Sequence, residues 1–392
     1  MKEDFLKYQA QTSPNPLALE VSHASGSFIY DKNGKAYLDF VAGVSACTLG
    51  HSHPKILKAV KDQMQRYTHV MVYGEYIQEA PVALAKLLAE QLPQPLDSTY
   101  LVNSGTEAIE GALKLARKLT GRVEMVYAEQ AYHGNTMGSL SIMGTHERKT
   151  AFEPLMENCQ AIPFNNLAAL GQITSTTAAV VLETIQGGAG FIEPHAGYLI
   201  AVKQRCEQVG ALLILDEIQT GFGRTGKLFG FEHYDVVPDI LVTGKGLGGG
   251  FPIGAFTASK AHMSELTDPK LSHITTFGGH PVIAAAGLAT LKEVLDGDYM
   301  QTALAHETLI RELLTSHPSV KEIRGRGLML ALMVDNPELA SKIILKCQER
   351  GLILFWLLFE GRAIRLTPPL TISEKEIRDG CAILSEVMDD LS

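Results

Sequence analysis

Short runs that are apolar almost throughout, each followed by glycines or polar residues and then an amphipathic stretch, constrain this chain more than any other feature. They cover residues 100–103, 123–128, 178–183, 211–216, 239–243 and 254–258, with helix-like stretches such as 107–119 and 197–209 between several of them. A strand with one solvated face alternates apolar and polar residues. One that is apolar on both faces must be covered on both, as in a mainly parallel sheet between helical layers. The expectation is an α/β fold with a large domain over 51–286. From about residue 287 the pattern changes to a long helix, short strands and a closing helix over 373–389, which reads as a smaller α+β domain, 287–392. Residues 28–40, with Asn33-Gly34 at the turn, read as a hairpin. Residues 1–50 are expected to pack with the carboxyl-terminal domain.

A chain of 392 residues, 46% hydrophobic and 20% charged, can bury such a core. Its formal net charge of −9 argues against a nucleic-acid or anionic-membrane surface, while leaving room for a local basic pocket. The five cysteines are scattered without metal or redox spacing and read as small buried hydrophobes in a reducing compartment. The opening Met-Lys-Glu-Asp-Phe lacks the apolar core of a secretory signal. The greasiest stretch, 352–359, is far shorter than the roughly 20 residues of a membrane span. A soluble, cytoplasmic protein is expected.

Polar residues stand just past the predicted strand ends: Ser104, Glu183 with Gln186, Asp216 and Lys245. That rim is where open α/β sheets bind ligands. Lys245 precedes Gly246-Leu-Gly-Gly-Gly. It reads either as a surface loop lysine or as a desolvated amine, whose lowered pKa suits Schiff-base chemistry. Asp216 closes a buried strand, where a carboxylate needs a cation. A protonated pyridine nitrogen would serve, and so would a structural partner such as Arg224. Ser104-Gly105-Thr106 fits a phosphate site at a helix amino terminus, or an ordinary cap. Tyr132 and His133 lie where a ring could stack on a flat cofactor or fill the core. Arg365, inside an apolar strand, suits a substrate carboxylate or a salt bridge. His51 and His53 have no third ligand at helpful spacing and read as a turn, not a metal site.

Several ordered motifs carry a resemblance over almost the whole chain. They are Gly26-Ser-Phe-Ile-Tyr-Asp-Lys-Asn-Gly, Leu49-Gly-His-Ser-His-Pro, Asn103-Ser-Gly-Thr-Glu-Ala, Leu215-Asp-Glu-Ile-Gln-Thr-Gly-Phe-Gly-Arg-Thr-Gly, Gly244-Lys-Gly-Leu-Gly-Gly-Gly-Phe-Pro-Ile-Gly, Thr275-Thr-Phe-Gly-Gly-His-Pro and Arg365-Leu-Thr-Pro-Pro-Leu. Together they resemble the class III (ornithine and acetylornithine type) pyridoxal-phosphate aminotransferases of fold type I. The resemblance implies a mainly parallel seven-stranded sheet flanked by helices, pyridoxal 5'-phosphate as cofactor, and no metal. It also implies ping-pong transfer from ornithine, acetylornithine or a similar ω-amino donor to a keto acid such as 2-oxoglutarate. Lys245 matches the Schiff-base lysine, Asp216 the partner of the pyridine nitrogen, and Gln219 the residue near the ring hydroxyl. Ser104, Gly105 and Thr106 match the phosphate cradle and Tyr132 the stacking aromatic; His133 and Glu183 join the cofactor-binding set. Thr276 matches a threonine that reaches the neighbouring subunit's phosphate, which implies a homodimer with shared sites. Arg365 matches the arginine for the substrate α-carboxylate. Two positions depart from the family pattern. Asn135 stands where acetylornithine enzymes often carry arginine, and Gly188 where ornithine and 4-aminobutyrate enzymes usually carry glutamate. Without that acid, Arg365 is expected to stay free for a carboxylate. The same fold also houses 4-aminobutyrate transaminases, aminomutases and racemases.

Overall fold

The computed structural model describes residues 1–71 and 74–392. Near the amino terminus, β1 (Val21–Ser25), β2 (Phe28–Asp31) and β3 (Ala36–Asp39) pair antiparallel. The expected turn joins β2 to β3, with Gly34 at φ 83°, left-handed backbone that costs glycine no Cβ clash. The strand Leu352–Ile353 joins this sheet parallel to β3. Leu38 and Phe40 are thereby buried among carboxyl-terminal side chains such as Ile343, Cys347 and Leu384.

Seven strands form the central sheet: β4 (Ser98–Val102), β5 (Glu124–Ala128), β6 (Cys159–Ile162), β7 (Thr177–Glu183), β8 (Leu212–Asp216), β9 (Ile240–Gly244) and β10 (Gly254–Ala258). Their spatial order is β4-β10-β9-β8-β7-β5-β6. Neighbours from β9 to β6 run parallel, and β10 runs antiparallel to both β9 and β4. Successive residues enter opposite layers, as a pleated strand requires. Val126, Val180, Leu213 and Leu241 pack beneath the helices Glu79–Gln91, Tyr198–Val209 and Pro281–Asp296. Met125, Val181, Ile214 and Val242 pack beneath the helix Gly105–Thr120. Burial of each such side chain contributes about 1.5–3 kcal/mol, so the sheet is the rigid platform on which loops are mounted. β6 was not among the apolar runs. Position 287 lies inside the helix Pro281–Asp296, whose Ala284, Leu291 and Val294 belong to the large core.

The remaining strands are β11 (Glu322–Arg326), β12 (Met329–Met333), β13 (Leu352–Ile353), β14 (Phe355–Trp356) and β15 (Ala363–Leu366). Four of them form an antiparallel sheet of order β11-β12-β15-β14. The helices Tyr299–Leu314, Pro337–Glu349 and Glu374–Asp390 cover one face. The other face, with Met329, Ala331 and Ala363, packs on Ile185 and Phe191 beside the central sheet. Ile364 and Leu366 point into the helical core, so the period of two sends Arg365 to the face that looks toward the central sheet. Among the described residues no helix is long and apolar enough to cross a membrane.

Candidate active site

A cavity of about 420 Å³ opens at the carboxyl ends of the central strands. Glu183 and Asp216 end neighbouring strands in register, and Asp216 is in turn opposite Val242 on β9, three residues before Lys245. Parallel pairing therefore brings three polar strand ends to one rim. Gly105 and Thr106 follow β4, Tyr132 and His133 follow β5, and all of these residues line the cavity together with Gln219 and Arg365.

Asp216 is buried, and His133, not Arg224, is its partner. His133 Nδ1 donates to Asp216 Oδ2 at 2.8 Å, and the Ile218 amide donates to Oδ1 at 2.9 Å. Among the described residues His133 Nε2 has no hydrogen-bond partner. Arg224 instead donates to the carbonyls of Leu328 and Pro368. Lys245 sits at φ 37°, strained backbone for a side-chain-bearing residue. Burial pulls its pKa below the usual lysine value and the Arg365 charge adds to that, while Asp216 and Glu183 oppose it. An amine that gives up its proton this readily is a better nucleophile. Arg365 is buried, and among the described residues its Nε and Nη1 have no hydrogen-bond partner. Its guanidinium lies 5.4 Å from the Phe191 ring centroid, and burial brings its pKa down to about 10. A buried guanidinium with such donors can accept a carboxylate.

The two glutamates differ. Glu183 lines the cavity and accepts the Tyr132 and Gly187 amides at 3.1 and 2.9 Å. Burial pushes its pKa up to about 7. Glu217 lies outside the lining and accepts from Thr184 Oγ1 at 2.6 Å, from the Gly230 and Phe231 amides at 2.8 and 2.7 Å, and from Thr220. It fastens loops, and burial pushes its pKa up to about 7 as well.

Ser104 acts as a cap, its Oγ accepting the Glu107 amide at 3.3 Å, and it lies outside the lining. The amides of Gly105 and Thr106 open a 16-residue helix, where first-turn N–H groups lack intrahelical acceptors. A Cβ on Gly105 would come within 2.6 Å of Ile218 Cδ1. The Thr106 hydroxyl is bonded to those of Thr136 and Ser139 at 2.8 and 2.7 Å. Gln219 Nε2 donates to Ser45 Oγ at 3.3 Å, and Gln186 is tied to the Glu129 carbonyl. Thr276 is exposed and outside the cavity. His51 pairs with Asp39 at 2.8 Å, which raises its pKa to about 10, and no metal-binding cluster occurs among the described residues.

Phe355, Trp356 and Leu358, on and after β14, form an apolar wall that site-by-site reading missed. Their only signal was the apolar stretch 352–359. Both departures from the family pattern, Asn135 and Gly188, also line the cavity.

Residues 8–388 match the aminotransferase class-III family. The chain is 40% identical over 377 residues to the acetylornithine aminotransferase of Bacillus subtilis (strain 168), covering 94% of this chain and 95% of that protein. It is 39% identical over 377 residues to that of Caldanaerobacter subterraneus subsp. tengcongensis, covering 93% of each. The crystal structure of ornithine aminotransferase from Toxoplasma gondii ME49 aligns with a TM-score of 0.92 at 31% identity, covering 100% of this chain and 96% of that one. A transaminase from the marine bacterium Virgibacillus aligns with a TM-score of 0.93 at 25% identity, covering 99% and 98%.

Proposed function

The chain belongs to the class-III aminotransferases, and on that premise we propose that it moves the terminal amino group of ornithine or N-acetylornithine to 2-oxoglutarate by ping-pong exchange. One observation carries the reading: Lys245, Asp216 and Arg365, delivered by three different strands, line a single cavity.

The donor set fits pyridoxal 5'-phosphate. The cavity offers a nucleophilic amine, a buried carboxylate held at a fixed angle, and free first-turn amides for an anion. When bound, the cofactor supplies a carbonyl carbon for the amino group and a cationic ring that withdraws electrons from the reacting carbon. Lys245 would hold the carbonyl carbon through Nζ. Lys245 Nζ would also serve as the base for the proton on the carbon that bears the transferred nitrogen. Asp216 would hold the proton of the ring nitrogen, with the His133 N–H fixing the carboxylate. The Gly105 and Thr106 amides, with Ser104 capping the helix behind them, would receive the phosphate. Tyr132 would stack on the ring, and Gln219 would serve the ring hydroxyl. Glu183 holds the backbone at 132 and 187 in place. Arg365 receives the carboxylate of each substrate in turn, with no acid at 188 to neutralise it between half-reactions.

Thr276 is assigned to the phosphate of a second copy, which makes the enzyme a homodimer with shared sites. The loop around it supports this. Phe277 and Ile274 are exposed, and the Phe277 and His69 ring centroids lie 4.9 Å apart; exposed apolar side chains of this kind mark interfaces. The five unpaired cysteines support a reducing, cytoplasmic compartment.

The test is a donor screen with 2-oxoglutarate, comparing acetylornithine, ornithine, 4-aminobutyrate and lysine. The expected result is highest kcat/KM with acetylornithine or ornithine. Preference for 4-aminobutyrate, or isomerised products without amino transfer, overturns the assignment.

A further inference from the structure

A dicarboxylic acceptor needs two cationic partners, and the described lining of the cavity holds only one that is free. Lys245 and Arg365 are its lysine and arginine, and Lys245 is committed to the cofactor. Position 135 contributes an uncharged amide, whose Nδ2 donates to Tyr132 Oη at 3.2 Å.

A second cation, outside the lining itself, is bonded to one of the wall residues. Arg148 Nη2 donates to the carbonyl of Leu358 at 3.1 Å, and Leu358 is part of the cavity wall. The same guanidinium lies over the Phe359 ring, 5.5 Å from its centroid. Both contacts are neutral, and among the described residues no carboxylate pairs with it. Other arginines of this region are neutralised: Arg362 by Glu360, Arg324 by Glu322, Arg326 by Glu193. Burial raises the pKa of the Tyr132 hydroxyl, and the Arg148 charge opposes that rise; Tyr132 and Leu358 both line the cavity.

Gly188 explains how the cation comes to be there. A Cβ at this position would lie 2.8 Å from Phe359 Cδ2, well inside contact distance. With no side chain at 188, Phe359 lies against the backbone, its amide donating to the Gly188 carbonyl at 2.9 Å. The ring then forms a shelf for Arg148. The lack of a side chain at 188 and the arginine over Phe359 are one arrangement.

We propose that Arg148 is the second carboxylate-binding residue, receiving the end of a dicarboxylic 2-oxo acid that Arg365 does not hold, and so selecting a dicarboxylate over a monocarboxylate. This rests on the dicarboxylate acceptor proposed above. Planar guanidinium recognition of carboxylate is directional, and two neutral contacts hold Arg148 in place without spending its charge. Its exposure makes the effect moderate and sensitive to salt.

Trp356, the single tryptophan, lines the cavity and gives a readout separate from turnover. Cofactor-loaded enzyme is titrated with glutarate and with butyrate, one carboxylate fewer, while Trp356 fluorescence is followed. Wild type is expected to bind glutarate more tightly. Arg148→Met is expected to weaken glutarate about tenfold, leave butyrate unchanged and raise KM for 2-oxoglutarate in parallel with little change in kcat. Arg148→Lys should recover part of the loss. If Arg148→Met keeps the wild-type preference for glutarate, or loses both ligands equally, the assignment of Arg148 is wrong although the acceptor stands. If wild type itself does not distinguish glutarate from butyrate, the dicarboxylate acceptor falls and Arg148 with it.

Discussion

Replacing His133 tests whether the histidine acts through Asp216. The His133 side chain is fully buried, and its Nδ1 makes, at 2.8 Å, one of the two hydrogen bonds that the Asp216 carboxylate receives among the described residues. In His133→Leu, Oδ2 of a carboxylate that is only 4% exposed loses its donor while Oδ1 keeps the Ile218 amide. A hydrogen bond to a charged group contributes about 1.5–3 kcal/mol, and a buried acceptor without a donor costs a similar amount. The expected loss in stability is about 2–3 kcal/mol. With an unfolding entropy of roughly 2.1 cal/mol/K per residue, a chain of this length loses about 3 °C in Tm. In His133→Asn the amide nitrogen falls close to the place of Nδ1, so a donor is restored and most of the loss should be recovered. The assay is thermal and urea unfolding of both variants, with the affinity for pyridoxal 5'-phosphate measured alongside. Cofactor binding should follow the same order: wild type, then Asn, then Leu. Equal stability and affinity in the Leu and Asn variants would refute the reasoning, since a ring that only fills space is missed equally by both.

Lys245→Ala should lower turnover by at least about 10³-fold, read from the half-reaction with acetylornithine; a rate near that of wild type removes Lys245 from the chemistry. Arg365→Met should raise KM for donor and acceptor by about 10- to 100-fold. Because the Arg365 charge helps depress Lys245, the same variant should move the Lys245 limb of the pH–rate profile upward, and an unmoved limb contradicts the coupling. Glu217 has its pKa pushed up to about 7 from an ordinary 4.5, so between those values the native protein holds a proton that the unfolded chain has shed. The stability this contributes is complete below about pH 4.5 and is lost as pH rises to about 7. Urea unfolding of Glu217→Gln should therefore decline less between pH 5 and 8 than that of wild type, by on the order of 3 kcal/mol; parallel profiles contradict this.

What could be read in the sequence follows from which constraints are local. The interior strands β5, β7, β8 and β9 must be mostly apolar on both faces because helices cover both, so each shows as a run apolar almost throughout. β6 escaped because it is an edge strand, Cys159–Ile162, with three of its four residues only partly buried; one neighbour and partial solvent exposure leave no such run. β10 was visible as a strand, but its antiparallel direction was not, since Gly254–Ala258 is buried throughout whichever way it runs. The pairing of Leu352–Ile353 with β3 links segments more than 300 residues apart, and no local pattern encodes it.

The site divides along the same line. Residues at the carboxyl ends of parallel strands converge because of sheet register alone, so Glu183, Asp216 and Lys245 could be brought together on paper. Gln219 and Gly105 came with them through motifs beside those strands. The His133–Asp216 bond, the Phe355–Trp356–Leu358 wall and the Arg148 shelf depend on how loops and a second sheet settle against that rim. Their sequences carry only generic signals: one histidine, one apolar stretch, one exposed arginine. The end of the cavity proposed for the cofactor is thus built by the sheet, while the end proposed for substrates depends on contacts between sheets. Selectivity among amino donors and acceptors should accordingly respond to changes at 135, 148, 188 and 355–359, while the common chemistry stays with 216 and 245.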